Sequence, residues 1–406
     1  MTDMPDTRAA SPFATLWLSP RATIERIVAT RPTYLVVPLA MAGTVALFYL
    51  ELLVGGLTGH LTNWRFWLGV VIGGALYGIA WLYLSALVMK WIGRMLGGEA
   101  TALQLRAAVA WSMVPPIAAA LIAIVAGVLV NMTGSGQMIV KIGVSLLTFV
   151  VGLWALVIFL LMVGRLERFG FWRTMLTYVL STVLISFLAA IGIRSMLYQP
   201  FNIPSGAMTP TLVIGDYFFA AKFPYGYSRF SLPFSPPLFS GRILAAEPQR
   251  GDVVIFRVPN DERVDYIKRL VGLPGERIQM KGGELYINDV PVKREQVADY
   301  VGVDLCGSTG KAPVKRWRET LPNGVSYETL DCIDNSFLDN TAVYTVPAGH
   351  YFLLGDNRDK SNDSRVLKSV GYIPLQNLVG RADLIFFSKD PETREVRDER
   401  IGTRVR

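Results

Sequence analysis

Apolar residues run almost unbroken through five stretches of the N-terminal half, at approximately 34–54, 67–89, 107–131, 138–164 and 174–193. Each is long enough to cross the hydrocarbon of a bilayer as a helix, which takes about 20 residues. The last has no charged residue between Thr174 and Ile193. The third contains Pro115 and Pro116, which would break a helix in water; inside a bundle, neighbouring helices can satisfy the carbonyls that lose their donors. Buried helices of a large soluble core are the alternative, and the lengths argue against it. Ahead of the first stretch, Phe13 to Pro32 puts Phe13, Leu16, Trp17, Ile24 and Ile27 at helical spacing. It reads either as an interfacial helix with that face toward lipid or as a solvated linker.

Beyond Tyr198 the pattern shortens to β-type segments separated by Gly, Pro and Asn. Asp216–Phe223, Asp252–Val258, Val264–Val271, Glu284–Asn288, His350–Leu354 and Ala382–Ser388 read as strands. Lys281-Gly282-Gly283 reads as a hairpin turn after Ile278–Met280. No long helical period follows Arg194, so this part is expected to be an all-β domain of about 200 residues, enough for its own core. Between Phe223 and Arg250 lies a loop rich in proline and aromatics: Tyr225, Tyr227, Phe230, Phe234, Pro236, Pro237 and Phe239. It is expected to dip into a membrane surface, the alternative being that it packs on the domain's own core.

Composition agrees with a membrane protein: 51% of residues are hydrophobic and 18% charged, against about 25% charged in soluble domains. The net charge of +8 points to lipid rather than nucleic acid, because the basic residues cluster at the ends of the apolar stretches. Arg8, Arg21, Arg26 and Arg31 precede the first. Lys90, Arg94 and Arg106 occupy the second loop, and Arg165, Arg168 and Arg173 the fourth. The first loop has only Arg65, and the third has no basic residue before Lys141. The positive-inside rule then puts the N-terminus in the cytoplasm and everything after Arg194 across the membrane. Met1 to Pro12 is polar and lacks the apolar core of a cleavable signal. The basic tail at 391–406, with Arg394, Arg397, Arg400, Arg404 and Arg406, reads as a lipid contact or a solvated end.

Two cysteines, Cys306 and Cys332, and two histidines, His60 and His350, do not make a metal site, and no cofactor is expected. On the far side of the membrane the cysteines can form a disulfide or remain two thiols. So few histidines make a Ser-His-Asp triad improbable; a Ser-Lys pair needs none. Its lysine must be neutral, hence buried. In an extended segment Tyr266, Lys268 and Leu270 share one face, so Lys268 points with apolar neighbours.

Three segments carry a stronger signal: Pro204-Ser205-Gly206-Ala207-Met208-Thr209-Pro210-Thr211; Asp265-Tyr266-Ile267-Lys268-Arg269 with Gly272-Leu273-Pro274-Gly275; and Gly355-Asp356-Asn357-Arg358-Asp359 with Ser361, Asp363, Ser364 and Arg365. In this order behind a membrane anchor, they resemble bacterial type I signal peptidases from about Thr174 to Ser388. The resemblance implies a membrane protein: an N-terminal α-helical bundle of about five transmembrane helices, then an all-β catalytic domain with an inserted β subdomain at about 280–345. The segment from Phe13 and the four spans after it also resemble a Yip1-type membrane domain. The expected division is 1–33, an N-terminal segment; 34–170, a four-span domain; 171–197, the peptidase's anchor; and 198–390, the peptidase domain.

By that resemblance Lys268 is the general base, Ser205 lends its hydroxyl to the oxyanion hole beside the Ala207 N–H, and Ser361 orients Lys268. Asp363 and Arg365 stiffen the site as an ion pair. Phe201, Ile203, Pro204, Met208, Tyr266 and Ile267 line pockets for Ala-x-Ala-like residues of a signal peptide, bound as an added strand between Asn202 and Tyr266. Signal peptides of exported preproteins, membrane lipid and the secretion machinery are the implied partners, at a bacterial cytoplasmic membrane. The family pattern, however, is P-S-G-S-M-x-P-T, and its second serine is the nucleophile. Here that position is Ala207, so the chain is expected to bind substrate without cutting it. Ser205 would share a side with Ala207 if the segment were extended, but misplaced nucleophiles are poor ones. Either a deliberate Ser-to-Ala replacement or a natural pseudo-peptidase, serving as a signal-peptide-binding or scaffold protein, accounts for the alanine.

Overall fold

The computed structural model describes residues 11–54, 64–133, 137–303, 306 and 311–406; Arg8 and His60 lie outside the described residues, as does the side chain of Lys141. The chain forms two compact units, Met1–Leu188 and Ala189–Arg406.

The first unit is helical: α1 (Pro12–Thr15), α2 (Pro20–Thr30), α3 (Val36–Val54), α4 (Trp64–Met95), α5 (Ala102–Trp111), α6 (Val114–Thr133), α7 (Gln137–Glu167) and α8 (Phe171–Met196), whose last turns belong to the second unit. Five spans result, α5 and α6 together making the third. A capping box between Thr101 and Gln104 starts α5. The helix then breaks at Ser112, immediately before the prolines, which fall in the first turn of α6 where a missing N–H costs least. The segment ahead of the spans corrects both sequence readings. Leu16, Ile24 and Ile27 are buried in the bundle core with Leu105, Trp111 and Val163, and the ring of Phe13 lies 5.0 Å from that of Trp111. Leu16, Ile24 and Ile27 thus find their partners inside the bundle, while Phe13 stays partly exposed.

The second unit carries β1 (Tyr198–Asn202), β2 (Asp216–Ala221), β3 (Val253–Val258), β4 (Asp261–Gly272), β5 (Arg277–Lys281), β6 (Glu284–Ile287), β7 (Val290–Pro291), β8 (Lys293–Val303), β9 (Lys311–Thr320), β10 (Ser326–Asp331), β11 (Tyr344–Thr345), β12 (His350–Leu354), β13 (Ile373–Pro374) and β14 (Leu378–Ser388). One sheet has seven strands in the order β1-β2-β14-β3-β4-β12-β13. β11-β5-β6-β7 form a second, and β10-β9-β8 a third. The hairpin expected at Lys281-Gly282-Gly283 joins β5 to β6, with both glycines at positive φ, where a side chain would be strained.

Two more segments, the aromatic loop and the basic tail, divide between core and surface. In the loop after β2, Tyr225 and Phe230 are buried; the Tyr225 hydroxyl donates to Asp252 at 2.8 Å, and Phe230 joins the main-sheet core. Only Phe223, Phe234, Leu238, Ile243 and Leu244 are left as large exposed apolar groups. The basic tail is anchored at three points and exposed elsewhere: Arg400 pairs with the buried Asp216 at 2.5 Å, Arg397 with Asp390 at 2.9 Å, and Val405 packs on the core, while Arg394, Arg404 and Arg406 are exposed. Cys306 and Cys332 are joined in a disulfide.

Candidate active site

β1 leads through Ile203 and Pro204 into a single 3-10 turn, Gly206–Met208, that buries Gly206, Ala207 and Met208. Ser205 precedes the turn in extended conformation and is exposed. The backbone folds between them, so Ser205 and Ala207 do not share a side as an extended segment would give. The Ala207 carbonyl accepts from the Asn357 N–H at 3.1 Å, which ties the turn to the loop after β12. Gly355 sits in the same joint: a Cβ there would lie 2.2 Å from Ser361 Oγ and 2.7 Å from the Ala207 carbonyl oxygen. Only glycine lets these three segments close up.

The turn packs against β4, which carries Lys268. That side chain is 4% exposed. Burial pulls its pKa down to about 8; Asp363 and then Asp356 oppose the shift, and Arg365 reinforces it. Its Nζ donates to the Ile267 carbonyl at 2.9 Å. Ser361 is buried nearby; its side chain serves Asp363 as a hydrogen-bond partner, and no hydrogen bond joins its Oγ to Lys268. Asp363 and Arg365 do pair, through two contacts of 2.9 Å, with both side chains fully buried. Asp363 also accepts from the Gly355 N–H at 3.1 Å, and its pKa lies below the ordinary carboxylate value: Arg365 and these hydrogen bonds outweigh the desolvation.

Beneath this layer lies a second, which the sequence reading did not pick out. Arg269 grips Asp356 through two contacts of 2.8 and 2.7 Å, stacks on Tyr327 at 4.2 Å and donates to the Arg406 carbonyl at 3.1 Å. Thr211 donates to Asp356 at 2.5 Å. A signal was present in part, since Arg269 and Asp356 stand inside the recognised segments; Tyr327 had none.

The proposed pocket residues divide. Ile203 and Met208 belong to the core. Phe201, Tyr266 and Ile267 are half-buried and Pro204 exposed, leaving these four for a ligand to touch. The backbone is open at the same place. β1 is an edge strand, and β12 pairs with β4 only from Arg269 onward. The stretch of β4 from Asp261 to Lys268 therefore has β3 on one side and, among the described residues, no strand on the other, an edge able to accept an added strand.

The family model described as signal peptidase, peptidase S26, matches residues 175–387, and the Yip1 domain model matches residues 14–193. The two overlap on α8, so the Yip1 match takes in the fifth span as well as the four expected. A signal peptidase I of Rickettsia typhi is 46% identical over 207 residues, covering 49% of this chain and 75% of its own. That of Rickettsia prowazekii is 44% identical over the same shares. A solved signal peptidase I from Enterococcus faecalis is 28% identical and covers 34% of this chain and 97% of its own; its TM-score of 0.20 is too low to bear on the fold.

Proposed function

The chain belongs to the signal peptidase, peptidase S26, family, and on that premise we propose that its β unit receives the signal peptide of an exported preprotein and holds it, uncut, at the position where the family cleaves after small residues. The observation that carries this reading is the buried, easily deprotonated Lys268 on the strand against which the Ala207 turn packs. A substrate strand at the free edge of β4 would pass Tyr266 and Ile267 and bring its scissile carbonyl to that turn. The Ala207 N–H and the exposed Ser205 hydroxyl are the donors available to an oxyanion. Lys268 would take the nucleophile's proton and later give it to the leaving amine. The missing part is an alcohol at position 207; alanine has none. Basic clusters and the five spans favour a bacterial cytoplasmic membrane, with the N-terminus in the cytoplasm and the β unit across it. Membrane lipid and the secretion machinery are the other partners of this reading.

The test is Ala207→Ser, assayed on a precursor with an Ala-x-Ala site. Recovery of cleavage is expected on the scale lost when a serine nucleophile is removed elsewhere, about 10⁶ in kcat. Continued inactivity, with the signal peptide still bound and the fold intact, favours the second reading: a natural pseudo-peptidase that binds signal peptides. Loss of binding as well overturns both.

A further inference from the structure

A cavity of about 360 Å³ lies inside the helical unit, lined by residues of α3 through α8. Its size is that of a small-ligand site. Aromatic rings of Tyr77, Trp81, Phe159 and Tyr178 form much of the wall, and no charged side chain lines it among the described residues. The polar lining is made of hydroxyls: Thr44, Ser85, Ser112, Ser181 and Thr182. Thr44, Ser85, Ser112 and Ser181 each sit about 12–15 Å along the helix from the end nearest a basic cluster, hence near the middle of a hydrocarbon layer about 30 Å thick.

Four of these hydroxyls spend their proton on helix carbonyls: Thr44 on Gly74 at 2.6 Å, Ser85 on Trp81 at 2.5 Å, Ser112 on Val109 at 2.8 Å and Thr182 on Tyr178 at 2.9 Å. Ser181 does not. It is 3% exposed and its Oγ meets no described partner. A buried hydroxyl in an apolar medium costs free energy until something bonds it. The helix break adds acceptors at the same level, since Pro115 and Pro116 have no N–H for the carbonyls of Trp111 and Ser112. Broken helices at membrane depth occur where they line a cavity.

We propose that this cavity is a binding site for a neutral long-chain lipid with a single hydroxyl or carbonyl group, which Ser181 engages. The apolar wall takes the chain. The absence of lining charge excludes an ionised head group at this depth, and the unbonded Ser181 proton selects a molecule that can accept it. The proposal is independent of the peptidase reading.

Photolabelling of the full chain in detergent with a diazirine-bearing long-chain alcohol tests it. Label is expected on α8 peptides around Ser181, displaced by hexadecanol and not by ionised palmitate or by phosphatidylcholine. Ser181→Ala should weaken displacement by hexadecanol roughly two- to tenfold, the span of one hydrogen bond, and Ala155→Trp, which fills the cavity from α7, should abolish labelling. Label spread evenly over the exposed faces at Leu121 and Phe149, or displacement by phosphatidylcholine as readily as by the alcohol, overturns the proposal. If Ala155→Trp does not fold, an unchanged response to hexadecanol in Ser181→Ala overturns it alone.

Discussion

Arg358, in the loop after β12, sets its Nη2 2.5 Å from Oε2 of Glu319 on β9, and both side chains are buried. The inserted sheet thereby reaches into the proposed catalytic loop. The Tyr327 hydroxyl, also from that sheet, donates to the same carboxylate at 2.8 Å. Arg358 Nε donates to the Gly355 carbonyl at 3.2 Å, and its own carbonyl accepts from Arg365 at 2.5 Å. Gly355 and Arg365 are the residues that touch Ser361, Ala207 and Asp363. A buried pair broken on one side leaves an uncompensated charge, which costs about 3–5 kcal/mol.

Glu319→Ala is therefore expected to lower the stability of the β unit by about 3–5 kcal/mol, read by denaturant unfolding of the full chain in detergent. Tyr327→Phe removes one hydrogen bond to a charged group and should cost about 1.5–3 kcal/mol. Equal, small losses in both would mean that the pair is not what holds the loop.

Lys268 sets the pH dependence. Below its pKa of about 8 the amine is protonated and cannot accept the nucleophile's proton. In an Ala207→Ser background, kcat/KM should fall tenfold per pH unit below a midpoint near 8 and level off above it. Asp363 raises this pKa, so Asp363→Asn should move the midpoint to lower pH, even where it also lowers the plateau. The linked stability has a definite sign. Burial depresses the folded pKa from 10.5 to about 8, so between these values the unfolded chain binds more protons, and the lysine's contribution makes stability rise with pH across that window. Unfolding titrations of the chain against its Lys268→Met variant measure it.

How much of this was legible in the sequence depends on what each signal needed. The five spans were readable because length and apolarity are local properties. Lys268 was readable because strand parity places it among apolar neighbours. β8 to β10 were not, since Lys293-Arg294-Glu295-Gln296 and Lys315-Arg316-Trp317-Arg318-Glu319 look like solvated stretches; the burial of Glu319 and Arg294 comes from partners distant in sequence, Arg358 and Asp331. The 3-10 turn that separates Ser205 from Ala207 was not legible, because a single turn has no periodicity to detect. The burial of Leu16, Ile24 and Ile27 and the anchoring of Arg400 and Val405 were hidden for a shared reason: a short basic or amphipathic stretch does not announce whether lipid, water or the protein's own core receives it.

The aromatic loop gives a prediction of opposite signs. Phe230 is core, so Phe230→Ser should cost about 3 kcal/mol or more, as large-to-small core changes do, with no specific effect on lipid. Phe234 and Leu244 point fully or largely outward, so changing both to serine should leave stability unchanged and weaken binding of the isolated β unit to vesicles. Cosedimentation with vesicles distinguishes them; unaltered binding in the double variant removes the membrane contact.

The disulfide closes the final link between inserted sheet and catalytic loop. Cys332 follows β10 directly, and its N–H and that of Ile333 donate to Asp359 at 2.7 and 3.0 Å. Its bond to Cys306 spans a sequence separation of 26, for which chain entropy gives roughly 3–4 kcal/mol. Reduction, or Cys306→Ser, should cost up to that amount. Because the freed end holds Asp359, the loss should appear first in the loop: amide exchange at Asn357 to Lys360 should quicken before that of β3 and β14. Uniform acceleration across the unit would mean that the crosslink supports the whole sheet system and not this loop in particular.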